Sequence, residues 1–143
     1  MYVVILGAGT IGTAIAKWLL SIDHEVSVID TNASRCAALD EELGSVSVIG
    51  NGTDASILIR AGCNRSDVFI GTSGFDEDNL IACQLARNEF GALKTIAFVK
   101  IPEHEELFTT LGIDVVINQT DILIDRLKSE LGGSDERAME IIE

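Results

Sequence analysis

The chain has 143 residues, of which 47% are hydrophobic and 23% charged, a composition that fits one globular domain and excludes a disordered segment. Twenty-three acidic side chains against ten basic ones leave a formal charge of -13. Such a surface repels nucleic-acid phosphates and anionic lipid, so neither is an expected partner.

Strands and helices alternate almost from end to end. Tyr2 to Leu6 is a β-branched and aromatic run that reads as a strand buried on both faces. After a glycine-rich turn, Thr10 to Ser21 carries Ile11, Ile15, Trp18 and Leu19 at helical spacing, and Trp18 is expected in the core. Glu25 to Asp30 predicts a second strand, Ala33 to Leu43 a helix stopped by Gly44, and Val46 to Ile49 a third strand. Asp54 to Ala61 is a short helix ended by Gly62. The cycle repeats with a strand at Asp67 to Ile70 and a helix at Glu77 to Phe90 that turns Leu80, Ile81, Leu85 and Ala86 inward. A strand at Thr95 to Val99 follows, then a short helix from Pro102 to about Leu111. The last pair is a strand at Asp114 to Ile117 and a helix at Thr120 to Leu131. Gly132-Gly133-Ser134 reads as a hinge, and the tail Arg137 to Glu143 has no partner element of its own.

Six strands joined by short helical crossovers predict an α/β fold: a Rossmann-type, doubly wound, six-stranded parallel sheet with strand order 3-2-1-4-5-6. The domain is expected over residues 1–131, with 132–143 forming the hinge and the start of a further C-terminal segment. No apolar run reaches the roughly 20 residues of a membrane-spanning helix, and the opening MYVVILGAG has no basic start of the kind a signal peptide needs. Cys36, Cys63 and Cys83 are too widely spaced for a zinc site and odd in number for a disulfide framework, which fits a reducing cytoplasm.

One motif carries chemistry. Gly7-Ala8-Gly9-Thr10-Ile11-Gly12 is G-x-G-x-x-G, and it lies where the first strand gives way to the first helix. Gly7 permits the tight turn, Gly9 keeps side chains away from a pyrophosphate, and Gly12 lets the helix pack closely on the sheet. The helix N-terminus then presents N–H groups and a positive dipole end to phosphates. Asp30 ends the second strand, 18 residues after Gly12, where a carboxylate accepts hydrogen bonds from both ribose hydroxyls and disfavours a 2′-phosphate. Thr31 beside it is not basic, and Arg35 is the one nearby cation. The competing reading is structural: glycines that only turn and an acid that only caps. Asn51, Gly52 and Thr53 after the third strand are candidates to flank adenine, and Thr72 and Ser73 after the fourth lie near the phosphates. Lys100, ending the fifth strand, is a candidate contact to phosphate or the distal ribose. Asp76, Glu77 and Asp78 read as acids favoured in a first helical turn rather than as metal ligands. His24 and His104 read as a loop residue and a solvated helix face.

Several of these stretches together resemble one family. VVILGAGTIG at 3–12, HEVSVID at 24–30, VIGNGTD at 48–54, GTSGFDEDNLIACQLA at 71–86 and LGIDVVIN at 111–118 are similar to the RCK/KTN domain, the TrkA-N-type nucleotide-binding lobe. The resemblance covers about residues 1–131. It implies a regulatory subunit of a potassium channel or transporter, not an enzyme. Such a lobe binds NAD(H), with ATP, ADP or AMP as the alternative, dimerises, and assembles into rings on the cytoplasmic side of an integral membrane pore. It also implies a second C-terminal lobe. Three positions depart from the family pattern. Thr10 stands where some members place an arginine for a terminal phosphate, which favours NAD or AMP-like ligands over ATP. Asn118 and Gln119 replace a Pro-Glu pair whose acid helps hold a bridging cation, so no metal is expected there. Asn51 stands where an acid is common. The last helix, with Phe108 and Leu111, is a candidate dimer face. The alternative reading is the NAD-binding domain of a dehydrogenase or reductase, which needs a substrate pocket supplied from elsewhere.

Overall fold

Strand and helix alternate along the computed structural model, which describes residues 1–132. In chain order the elements are β1 (Tyr2–Leu6), α1 (Thr10–Ser21), β2 (Glu25–Asp30), α2 (Ala33–Leu43), β3 (Ser47–Ile49), α3 (Ala55–Arg60), β4 (Val68–Gly71), α4 (Asp76–Asn88), β5 (Lys94–Val99), α5 (His104–Thr110), β6 (Val115–Asn118) and α6 (Gln119–Glu130). A single 3₁₀ turn, Cys63–Arg65, precedes β4. All but the last residue or two of each predicted element fall where expected. The main shift is α5, which begins at His104 because Pro102 and Glu103 form the turn before it. The 133–143 stretch, with most of the predicted hinge and the tail, lies outside the described residues.

The six strands pair in parallel in the order β3-β2-β1-β4-β5-β6, as predicted. The order reverses between β1 and β4, so their carboxyl ends diverge and leave a crevice there. Leu6, the last residue of β1, is in register with Ile29 of β2 and Gly71 of β4, so all three strands deliver their following loops to one edge.

Alternation along β1 supplies two cores. Val3 and Ile5 pack with Ala16 and Leu19 of α1 and Leu39 of α2. Val4 and Leu6 pack on the other face with Leu58 of α3, Ala82, Cys83 and Ala86 of α4, and Phe108 of α5. Burying both faces explains why the strands read as continuous apolar runs rather than as alternating ones.

Packing overturns three expectations. Trp18 is 60% exposed, because α1 meets the sheet through Gly12, Ala16 and Leu19, and Trp18 is rotated about 100° from Leu19. Ile81 faces outward, because the inner stripe of α4 is Asn79, Ala82, Cys83 and Ala86. Phe108 is fully buried under the His104 ring and belongs to the core rather than to a surface. By contrast α6 buries none of its residues, and Ile122, Leu123, Ile124 and Leu127 are all exposed. Among the described residues no helix is long and apolar enough to cross a membrane.

Candidate functional site

An open cleft lies at the carboxyl ends of β1, β2 and β4, the edge where ligands bind in doubly wound sheets. Its floor is Leu6, Gly7 and Gly9; one wall is Ile29, Asp30, Thr31 and Arg35; the opposite wall is Thr72 to Phe75 with Asp78. Gly50, Asn51 and Gly52 close the end next to Asp30.

The three motif glycines are required for three different reasons. Gly7 has φ +109°, a left-handed conformation that only glycine adopts freely, and a Cβ there would press on Thr72. A Cβ on Gly12 would collide with the Gly7 carbonyl oxygen, so α1 and the turn are in backbone contact. Gly9 is the opposite case: a Cβ would meet nothing within 4 Å and would project from a residue that lines the cleft. That empty cradle fits a phosphate group approaching the backbone. The first turn of α1 has neither a side-chain cap nor an acidic residue, so its N–H groups and dipole stay available to an anion.

Asp30 is held firmly at the mouth of this turn. Its Oδ2 accepts from the Ala8 N–H at 2.8 Å and its Oδ1 from the Asn32 N–H at 2.8 Å, and Arg35 stands 3.8 Å away. A carboxylate has about four acceptor positions, so two remain for ribose hydroxyls. The side chain is only 10% exposed, and the backbone bonds fix its direction. Beneath it lies Cys36, whose thiol donates weakly to the Asp30 carbonyl.

The β4–α4 loop is built by Asn79, which is completely buried. Its Oδ1 accepts from the Ser73 N–H and hydroxyl, and its Nδ2 donates to the Ser73 and Phe98 carbonyls. Thr72 donates its hydroxyl to the Leu6 carbonyl, tying the loop to β1.

The remaining candidates divide clearly. Ala8 and Thr10 border a shallow groove beside the cleft with Gly9, Lys17 and Arg35. Ile11 and Gly12 do not line the cleft, and Gly12 acts through packing. Thr53 turns its N–H and hydroxyl back to Asn51 Oδ1, so it shapes the turn rather than lining the site. Lys100 is exposed and does not line the cleft, but its ammonium stands 3.7 Å from where a side chain on Gly74, a lining residue, would begin.

Two findings were not legible in the chain. Asp76 is buried, and its carboxylate accepts from the Lys100 and Ile101 N–H groups and from His104 Nδ1 at 2.9 Å. His104 is thus a half-buried partner stacked on Phe108, not a solvated helix residue. Asp76 uses its position in the first turn of α4 to pin the β5–α5 loop. His24 pairs with the chain's N-terminal amine. Asn118 caps α6 and donates to Glu105 and Asp121. Burial pushes the Cys63 and Cys83 thiols up to about 12, which leaves them unreactive. Among the described residues no group of three or more His, Cys, Asp or Glu is placed to hold a metal ion.

Comparison with known proteins adds the family. The model of the TrkA-N domain matches residues 3–119. The chain belongs to the TrkA-N domain family. A Trk system potassium uptake protein TrkA homolog from Methanothermobacter thermautotrophicus is 43% identical over 118 residues, 82% of this chain and 54% of the relative. A Trk system potassium uptake protein TrkA from Streptomyces coelicolor is 34% identical over 116 residues, 81% of this chain and 52% of the relative. This TrkA-N domain therefore spans about half the length of these curated relatives. Among solved structures, the GsuK channel bound to NAD superposes with a TM-score of 0.76 at 30% identity, covering 85% of this chain and 22% of that one. The TrkA-N domain of the inner membrane protein ybaL from Escherichia coli matches more of the fold, with a TM-score of 0.84 over 91% of this chain and 96% of that one. Its identity is 22%, so that likeness concerns the fold alone.

Proposed function

We propose that this TrkA-N domain is a nucleotide-sensing regulatory unit of a potassium channel or transporter, with NAD(H) as its ligand and ATP, ADP or AMP as the alternative. The observation that carries the reading is Asp30: a fixed carboxylate with two free acceptor positions, set against a glycine turn with an empty cradle at Gly9. The likeness to a potassium uptake relative and to an NAD-bound channel supports the same choice. The adenosine would lie between Asp30 and Gly50 to Gly52, and the phosphates over Gly9 and the N-terminus of α1.

The domain is read as a sensor, not a catalyst. The titratable residues lining the cleft are Asp30, Arg35 and Asp78, and Asp30 is committed to backbone N–H groups. Regulation then requires that ligands differ in affinity between two shapes of the assembly, since equal affinity shifts nothing. The unburied apolar residues of α6, with Leu107 and Leu111 nearby in the chain, support a homodimer or larger ring beneath a membrane pore on the cytoplasmic side.

The test is a thermal-shift panel with NAD, NADH, NADP, ATP, ADP and AMP. A ligand at a hundred times its Kd adds about 2.7 kcal/mol, which raises the melting temperature by roughly 5–10 °C in a domain of this size. Shifts with NAD(H) or adenylates, but not with NADP, are expected. No shift with any of them overturns the reading.

A further inference from the structure

The turn after β3 carries a reactive pair that neither the fold nor the nucleotide reading accounts for. Asn51 is followed by Gly52, and no other asparagine of the chain has glycine next in sequence. Asn51 is exposed and lines the cleft with Asp30. Its Oδ1 accepts twice from Thr53, from the N–H at 2.9 Å and from the hydroxyl at 2.8 Å. Its main-chain carbonyl accepts from the Asp54 N–H at 3.0 Å and closes the turn. An Oδ1 bonded two residues ahead directs the side chain along the Gly52 peptide. The Asn51 Nδ2 and the Gly52 N–H donate to no described residue. The amide that would leave and the nitrogen that would attack are therefore both uncommitted.

We propose that this turn is a self-modification site: Asn51 deamidates in the ligand-free protein, the Thr53 donors assist, and bound nucleotide shields it. The shielding rests on the nucleotide reading given above; the chemistry does not. The Gly52 nitrogen loses its proton to a solvent base and attacks the Asn51 side-chain carbon. Glycine has no Cβ to obstruct the approach, and ring closure within one chain gains from proximity. Negative charge developing on Oδ1 meets the Thr53 N–H and hydroxyl, as in an oxyanion hole. The bond to Nδ2 then breaks, and the nitrogen leaves as ammonia with a proton returned from solvent. A succinimide ring remains, and water opens it at either carbonyl to give aspartate or isoaspartate. One water enters, one ammonia leaves, and nothing is oxidised or reduced. Either product adds a carboxylate to a cleft that already holds Asp30 and Asp78. The isoaspartyl form also reroutes the main chain through the side-chain carbon and breaks the pairing with Thr53.

The purified protein is incubated at neutral and mildly alkaline pH, with and without NAD. Peptide mass spectrometry and isoaspartyl methylation follow each asparagine, and released ammonia is assayed alongside. Asn51 is expected to convert first, about ten-fold faster per pH unit because the amide anion is the attacking species. Asn51→Gln, whose ring would need one more atom, is expected to release no ammonia over the same period. Thr53→Val keeps the N–H, loses the hydroxyl donor, and is expected to slow conversion about five-fold. NAD at ten times its Kd leaves roughly a tenth of the sites free and is expected to slow conversion about ten-fold. Conversion of Asn51 no faster than of the other asparagines overturns the proposal. So does faster conversion in the urea-unfolded chain than in the native one, or a parental rate in Thr53→Val. NAD that binds by calorimetry without slowing conversion overturns the shielding. Conversion as expected with no binding of NAD or adenylates supports the chemistry and removes the nucleotide reading.

Discussion

Replacing Asp30 with alanine separates what that residue does for the fold from what it does for a ligand. The carboxylate accepts from two backbone N–H groups. Ala8 is only 7% exposed, so its N–H is left without water when the acceptor goes. A hydrogen bond to a charged group contributes about 1.5–3 kcal/mol. Asn32 is exposed, and water replaces most of its bond, so that loss is about 0.5–1 kcal/mol. Arg35 is 59% exposed and 3.8 Å away, and its removal from the pair costs next to nothing. The sum is about 2–4 kcal/mol, or a melting temperature lower by roughly 6–12 °C in a domain of this length. Asp30→Asn keeps one acceptor and is expected to lose about half as much. The ligand effect is separate: losing two ribose hydrogen bonds costs about 3 kcal/mol, roughly a hundred-fold in Kd. Thermal melts without ligand and calorimetry with NAD read the two quantities independently. An alanine variant that melts within 2 °C of the parent (a margin of roughly 0.6 kcal/mol) refutes the claim that the carboxylate pins the glycine turn. An unchanged Kd refutes its ribose role.

Other outcomes follow from the same geometry. Gly9→Ala is expected to change stability by less than about 0.5 kcal/mol, since its Cβ enters open space, yet to weaken nucleotide binding at least ten-fold; Gly12→Ala is expected to fail in expression or to melt far lower, because the Gly7 carbonyl cannot yield. Asn79→Ala strands the Ser73 N–H and the Phe98 carbonyl and is expected to cost about 2–4 kcal/mol in urea unfolding, with Asn79→Asp worse because a carboxylate would face two carbonyl oxygens. Hydrogen bonds from the Thr95 backbone hold the Asp114 carboxyl below its ordinary range, with Arg87 and Lys94 aiding. Its folded pKa being the lower one, Asp114 stabilises the fold fully above the ordinary carboxylate value of 3.8 and loses that contribution as pH falls through the folded value. The melting-temperature gap between the parent and Asp114→Asn is therefore expected at pH 7 and to narrow progressively as pH falls below 3.8; a gap that stays constant through that fall contradicts the assignment.

The alternation of elements, the strand order and the place of the glycine turn and Asp30 were all legible in the chain. Each rests on a local rule. Doubly buried strands are continuous apolar runs, crossovers are right-handed, and a glycine turn between strand and helix has few conformations. Helix faces were less legible. The periodicity of α1 admits Trp18 as readily as Leu19, and only contact with the sheet chose Leu19. On α4, the buried stripe includes a polar residue, Asn79, which an apolar pattern passes over.

The sequence by itself determined a doubly wound fold with a carboxylate, Asp30, beside a glycine turn. The turn and its acid lie within residues 7–30, and the sheet order follows from successive strand–helix–strand units, each with backbone geometry that neighbours in the chain dictate. The tertiary structure alone decided that Phe75 and Asp78 complete the cleft, that Asp76 and His104 hold the β5–α5 loop, and that α6 keeps its apolar face uncovered. These depend on loops 20 to 70 residues apart arriving at one sheet edge, and on which side of each helix the sheet accepts. Packing chooses that side from the volume and polarity of every surrounding residue at once, which no local spacing encodes.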